Sequence, residues 1–333
     1  MRSKSREPLP VFMGLYNAMA TVKTHTDAFP KVVLMTGATG LVGTAMVQRI
    51  AHGHPATTVR ILSRSGDQVN HIGGVPVEGW SWDPQAGTVP PAVVDGVECI
   101  VHLAGETVAQ RWSPSIKRRI RASRIDSLGL LQEACKRRGV APRIVSASAV
   151  GWYPSSAEIQ RESQPLGTGF VAEVVRDWEA AAAGLGELGG GHVSLRIGLV
   201  LSKQGGVIAK LAPLYNWGLG SPLSPGTQWQ SWIHIQDLVR LFLCAMGRPD
   251  WSGAFNAVSP TPVQQKWFSA SIAEALSRPH FLPPVPRMAI RLMYGEAADA
   301  LLASHRIIPE RVLHEGFQFD HVELDAALRD VFG

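Results

Sequence analysis

The stretch Gly37-Ala38-Thr39-Gly40-Leu41-Val42-Gly43 follows an apolar run from Lys31 to Thr36 and leads into Ala45, Met46 and Ile50. A strand that ends in glycines and turns straight into a helix leaves backbone N–H groups unpaired. With the positive end of the helix dipole, those donors hold a diphosphate. Gly37 permits the sharp turn, Gly40 lets the backbone approach phosphate, and Gly43 lets helix and strand pack closely. Thr39, Leu41 and Val42 complete the candidate cradle. A purely structural glycine turn is the competing explanation; the flanking strand and helix favour the nucleotide site.

The next chemically informative residues end the second apolar run, Val59-Arg60-Ile61-Leu62-Ser63-Arg64-Ser65. An NAD site places Asp or Glu here to accept from the ribose 2′-hydroxyl. Here the run ends Ser63-Arg64-Ser65, with no carboxylate until Asp67. Arginine pairs with a 2′-phosphate and serine adds a donor, so Ser63 and Arg64 favour NADP(H). Arg64 as a plain surface arginine is the alternative.

For catalysis, Ser148 ends an apolar run and Tyr153 follows closely. Ser148 is either an oxygen-polarising hydroxyl or a strand-end cap. Tyr153 offers a phenol, but without a neighbouring cation its pKa stays near ~10, which makes it a weak base at neutral pH. His234 and Asp237 resemble an acid/base pair, although a strand-end histidine followed by an Asp-capped helix explains them better. No His/Cys/Asp/Glu spacing suggests a metal, and Ser148 has no evident His/Asp partners for acyl transfer. Cys99, Cys135 and Cys244 are far apart and lie in apolar context, which reads as buried thiols in a reducing, cytoplasmic setting.

Strand and helix patterns alternate around these residues. Strands are expected over 31–36, 59–63, 75–79, 97–104, 143–148 and 192–201. Ser113-Pro114 should start a long helix, and 170–183 another. Ligands of such a sheet sit beyond the carboxyl ends of its strands, where the residues above all lie.

The motifs Thr36 to Gly43, His102-Leu103-Ala104-Gly105-Glu106, Arg111-Trp112, Ser123-Arg124, Ser146 to Tyr153 and Ser231 to Asp237, taken in order, resemble an atypical short-chain dehydrogenase/reductase. The branch is the NAD(P)-dependent epimerase/dehydratase-like group with an extra C-terminal domain, loosely labelled cell-division inhibitors. The similarity runs from about Lys31 to the end, including a tail from Tyr294 to Phe319. It implies an α/β fold: a Rossmann-type doubly wound parallel sheet of the extended kind, with a small C-terminal substrate lobe. It also implies that Ser63 and Arg64 bind the adenosine end, that Leu103, Ala104 and Gly105 line the ribose and nicotinamide path, and that Arg124 and Val200 face the cofactor. Glu106 and Arg111 would reach substrate or pair with each other.

One departure matters. The wider superfamily uses Tyr with Lys four residues later, so that the ammonium lowers the phenol's pKa. Residues four beyond Tyr16, Tyr153, Tyr215 and Tyr294 are Ala20, Ala157, Leu219 and Ala298. By the resemblance, Phe170 and Val174 stand at the pair's positions.

Residues 1–29 read as a leader without structure, 30–201 as the NADP-binding domain, and 202–333 as a mixed α/β substrate lobe interleaved with the sheet. In that lobe a long loop from 202 is of the sort that closes over a ligand, with Trp217, Trp229 and Trp232 either forming an apolar wall for substrate or burying the loop. Helices are expected over 237–246, 288–304 and 322–332, with a strand over 255–258. The formal charge of +5 is concentrated between Arg111 and Arg143, a solvated helix face without interleaved aromatics, so no nucleic acid is expected. No membrane span is expected, because no window has ~18 consecutive apolar residues. Two functions lead: hydride transfer on an unknown small carbonyl or hydroxyl compound, or non-catalytic NADP(H) sensing with a protein partner, linked to cell division; nucleic-acid binding through the basic helix is a distant third.

Overall fold

The computed structural model describes residues 29–333. The expected leader lies outside the described residues except for Phe29, which belongs to the folded part. Its ring stacks on His54 with centroids 3.5 Å apart.

Strands β1 (Val32–Thr36), β2 (Thr58–Ser63), β3 (Glu78–Ser81), β4 (Cys99–His102) and β5 (Arg143–Ala149) alternate with helices α1 (Leu41–Gly53) and α2 (Pro114–Arg138). There follow β6 (Ser156–Gln160), α3 (Phe170–Gly186), β7 (His192–Ile197), β8 (Leu199–Leu201) and α4 (Gly206–Asn216). Next come β9 (Trp229–Gln230), β10 (Trp232–His234), α5 (Ile235–Gly247), β11 (Gly253–Ala257), β12 (Val263–Gln264) and α6 (Gln265–Ala275). The chain closes with α7 (Arg287–Tyr294), α8 (Ala297–Leu301), β13 (His305–Ile307), α9 (Glu310–His314) and α10 (Leu324–Phe332).

Seven strands form one parallel sheet in the order β11-β7-β5-β4-β1-β2-β3. Val33, Leu34 and Met35 of β1, and Cys99, Ile100 and Val101 of β4, are all fully buried. Consecutive burial is what helices on both faces of a parallel sheet produce. The strand order reverses between β1 and β4, so a crevice opens at their carboxyl ends beside the glycine turn.

Local signals explain the long helix. The Ser113 hydroxyl accepts from the Ile116 amide at 3.2 Å, Pro114 occupies the first turn, and Gly139 in the left-handed region ends the helix. Its basic residues are largely paired: Lys117 with Glu296, Arg121 with Asp177, Arg137 with Glu133, and Arg138 with Asp95.

Several elements differ from the sequence expectation. The expected third strand begins as a short hairpin, His71–Ile72 with Val75–Pro76, and the sheet strand itself is β3. The expected sixth strand divides at Gly198, where the backbone approaches Ser231 so closely that a side chain would lie 2.4 Å from its carbonyl oxygen. Its continuation, β8, leaves the sheet to pair with β10. The expected loop after 202 contains α4, and the 288–304 helix is broken into α7 and α8 at Gly295. Strands β6 and β13, which pair in parallel, were not anticipated.

A second core, in which Leu201, Ile208, Trp232, Phe268, Ile272, Leu324 and Leu328 join α4, α6 and α10, lies apart from that of the main sheet. Residues of α5 and β11 pack instead with the main sheet, through Leu238, Leu241, Phe242 and Phe255.

Candidate dinucleotide and catalytic site

Gly37 has φ +68°, and a side chain there would lie 2.7 Å from the Leu103 carbonyl carbon. Gly43 is tighter still, with a Cβ position 2.4 Å from the Gly37 oxygen. The Gly40 amide donates to that same oxygen at 3.0 Å, which closes the turn. Among the described residues no side chain caps α1, and its first turn holds no acidic residue. The opening amides, including those of Leu41 and Val42, therefore keep their donors for an anion. Thr39 and Gly40 are exposed at the same point. The Thr36 hydroxyl accepts from the amides of Leu103 and Ala104 at 3.3 and 3.2 Å, which locks the next loop against the turn.

At the end of β2 the Ser63 hydroxyl oxygen is buried without a hydrogen-bond partner among the described residues. Arg64 beside it is exposed. The carboxylate of Asp67 is turned away and accepts from the Ser81 amide at 2.9 Å. This donor set suits a 2′-phosphate.

Behind Leu103-Ala104-Gly105 sits Arg124. A side chain at Gly105 would lie 2.9 Å from its guanidinium carbon. Arg124 donates to the carbonyls of Ile120 at 2.9 Å and Glu106 at 3.0 Å, and its guanidinium lies 5.1 Å from the Trp178 ring centroid. Burial lowers its pKa to about 10. Arg124 thus braces the 103–106 loop through its bond to the Glu106 carbonyl. Glu106 and Arg111 do not pair: Glu106 accepts from Gln110 at 3.1 Å, and Arg111 donates to the Leu292 carbonyl at 2.8 Å. Val200 is half-buried on β8, opposite Ile233. A side chain at Gly206 would lie 3.4 Å from the Val200 oxygen and 3.5 Å from a Leu41 methyl, so this stretch approaches the start of α1.

Ser148 and Tyr153 meet in one buried network. The Ser148 hydroxyl donates to Glu179 Oε1 at 2.5 Å. Arg196 holds Glu179 with Nε to Oε1 at 2.8 Å and Nη2 to Oε2 at 2.9 Å. Through Nη1 it also donates to the Tyr153 oxygen at 2.9 Å, while Tyr153 donates to Asn256 Oδ1 at 2.6 Å. Tyr153 is only 3% exposed, and burial pushes its pKa up to about 12. Its proton and oxygen are both committed, so the structure corrects the expected acid/base role: Tyr153 positions Arg196. Phe170 opens α3, its ring edge-on to Trp112 at 5.1 Å, and Val174 is 4% exposed. Neither carries a transferable proton.

Glu179 and Arg196 were missed from the sequence. One signal was available for Arg196: a charge within the apolar run His192 to Leu201 needs a buried partner.

The reading of His234 and Asp237 also changes. His234 itself caps α5, its Nδ1 accepting from the Gln236 amide at 3.3 Å. Asp237 is fully buried and accepts from the amides of Asp320 and His321, each at 2.9 Å. The fold also brings His234, His321 and Asp330 within metal-ligand reach of one another. An Nδ1 that accepts a hydrogen bond places the His234 proton on Nε2, which lies 3.2 Å from Asp330. That nitrogen then acts as a donor, not a metal ligand. The expected tryptophan wall does not form: Trp232 is fully buried, Trp217 is 83% exposed, and Trp229 meets Arg306.

Residues 33–258 match the NAD dependent epimerase/dehydratase family, and residues 285–331 match a domain of unknown function, DUF1731. An epimerase family protein of Mycobacterium bovis is 36% identical over 301 residues, covering 89% of this chain and 96% of the relative. A chloroplastic epimerase family protein of Arabidopsis thaliana is 35% identical over 311 residues, covering 90% and 86%. The crystal structure of human epimerase family protein SDR39U1 (isoform2) with NADPH superposes with a TM-score of 0.77 at 29% identity, covering 90% of this chain and 98% of that one. A parallel sheet whose uncapped glycine turn meets its switch point fits these likenesses, and this chain belongs to the NAD dependent epimerase/dehydratase family.

Proposed function

We propose that the chain is an NADP(H)-dependent oxidoreductase acting on a small carbonyl or hydroxyl compound. The observation that carries this reading is the start of α1, with no side-chain cap, no acid in its first turn, and glycines at its two closest approaches. The human relative crystallised with NADPH supports the choice of coenzyme, as do Ser63 and Arg64. The residues divide the work. The amides of Thr39, Leu41, Val42 and Gly43 hold the diphosphate, Ser63 and Arg64 hold the 2′-phosphate, and the small Ala104 and Gly105 admit a flat ring against backbone. When bound, the nicotinamide supplies or accepts the hydride. Ser148 holds the reacting oxygen. Its own proton goes to Glu179, so its lone pairs accept from a substrate hydroxyl, and the proton that accompanies the hydride is exchanged with water.

A second reading, a non-catalytic NADP(H) sensor, is favoured by one observation: the phenol of Tyr153 is sealed in the network. Incubation with NADPH and a panel of aldehydes and ketones decides between them. Loss of the reduced nicotinamide absorbance, abolished in Ser148→Ala, supports the enzyme. Binding without turnover across the panel leaves the sensor.

A further inference from the structure

We propose that Arg306 and Trp229 form an anion-binding subsite that takes the carboxylate or phosphate group of the substrate; this rests on the oxidoreductase reading above. Arg306 is half-buried at the centre of β13, opposite Ile159 of β6. Its guanidinium carbon lies 4.2 Å from the centroid of the Trp229 ring. Among the described residues its buried Nε has no hydrogen-bond partner, and no carboxylate pairs with its guanidinium.

The other arginines of the interior are matched. Arg143 donates to the carbonyls of Ala245, Arg248 and Trp251, Arg196 pairs with Glu179, and Arg248 pairs with Asp250. Stacking on Trp229 stabilises a cation through the ring face but satisfies none of its N–H groups. A guanidinium covered on one face keeps its in-plane donors, the geometry that grips a planar or tetrahedral oxyanion.

Position agrees with this role. Strand β6 begins past the carboxyl end of β5, the strand that carries Ser148. Ser304, two residues before Arg306, donates its amide to Ser155 Oγ at 2.9 Å, and its hydroxyl accepts from the Trp229 amide at 3.1 Å. Arg306 therefore stands on the ligand side of the sheet. Gln228 Oε1 and His305 Nδ1, each next in sequence to one of the pair, are likewise buried without a partner among the described residues.

The test is calorimetric titration of the full chain saturated with NADPH, so that the diphosphate cradle and Arg64 are occupied. Inorganic phosphate stands for phosphate esters and malonate for carboxylates, at matched ionic strength. One of the two is expected to bind saturably, and which one names the source. Arg306→Gln should weaken that binding at least ~10-fold, the worth of one charge-assisted hydrogen bond, while leaving NADPH affinity unchanged. If neither anion binds, or both bind equally well to wild type and variant, the subsite is overturned. Where Arg306→Gln no longer holds NADPH, Arg306→Lys is titrated in its place with the same two outcomes. If wild type fails to bind NADPH, the oxidoreductase reading falls, and the same titrations of the dinucleotide-free chain decide Arg306.

Discussion

Replacing Gly43 with alanine tests the diphosphate cradle through a single methyl group. The added carbon would lie 2.4 Å from the Gly37 oxygen and 2.5 Å from the Ala38 Cα, whereas ordinary contact begins at 3.4 Å. The start of α1 must therefore retreat by about 1 Å (3.4 less 2.4) from the turn. A diphosphate bridging turn and helix then loses hydrogen bonds, because ~2.9 Å contacts stretched by that distance fall outside bonding range. Two charge-assisted bonds at about 1.5 kcal/mol each make about 3 kcal/mol, or roughly a hundredfold in affinity. Overpacking adds about 1–3 kcal/mol of lost stability, which the fold should survive. NADPH fluorescence titration, with circular dichroism to confirm folding, reads the result. A folded Gly43→Ala protein that binds NADPH as tightly as wild type would refute the reasoning.

Two further outcomes follow from buried charge. Arg196→Met leaves Glu179 buried without its cation and should cost about 3–5 kcal/mol in urea unfolding; Arg196→Met with Glu179→Gln should recover part of that, and a loss below about 1 kcal/mol for the single variant contradicts the network. Histidines supply an acid sensitivity. Burial holds His102 at about 3, against an ordinary value of 6.5. Its folded pKa is depressed, so its contribution is complete above pH 6.5 and is lost as pH falls towards 3, at about 1.4 kcal/mol per unit. The denaturation midpoint should fall between neutrality and about pH 5, less steeply in His102→Gln; a flat midpoint would contradict this.

The first half of the fold was legible because each signal was local. The apolar run before Gly37, the Ser113-Pro114 start and the buried run from Arg143 announce their elements within a few residues. The buried network around Ser148 was not, since it joins Ser148, Glu179, Arg196 and, through Tyr153, Asn256 from separate elements. Tyr153 misled because a phenol near a strand end looks available until burial is known. Strands β6 and β13 were hidden for a related reason. Ser156–Gln160 carries little apolar alternation, and its pairing partner is far away in sequence. His234 went the same way, since the tail that supplies His321 and Asp330 is invisible from its own neighbourhood.

The most direct measurement is the dissociation constant of NADPH beside that of NADH, for wild type and Arg64→Glu. An exposed guanidinium next to the unpaired Ser63 hydroxyl should make wild type prefer NADPH by ~10-fold or more, the worth of one or two charge-assisted hydrogen bonds. Arg64→Glu should remove that preference and leave NADH binding nearly as before. Equal affinity for the two coenzymes in wild type, or no binding of either, would contradict the account at its base.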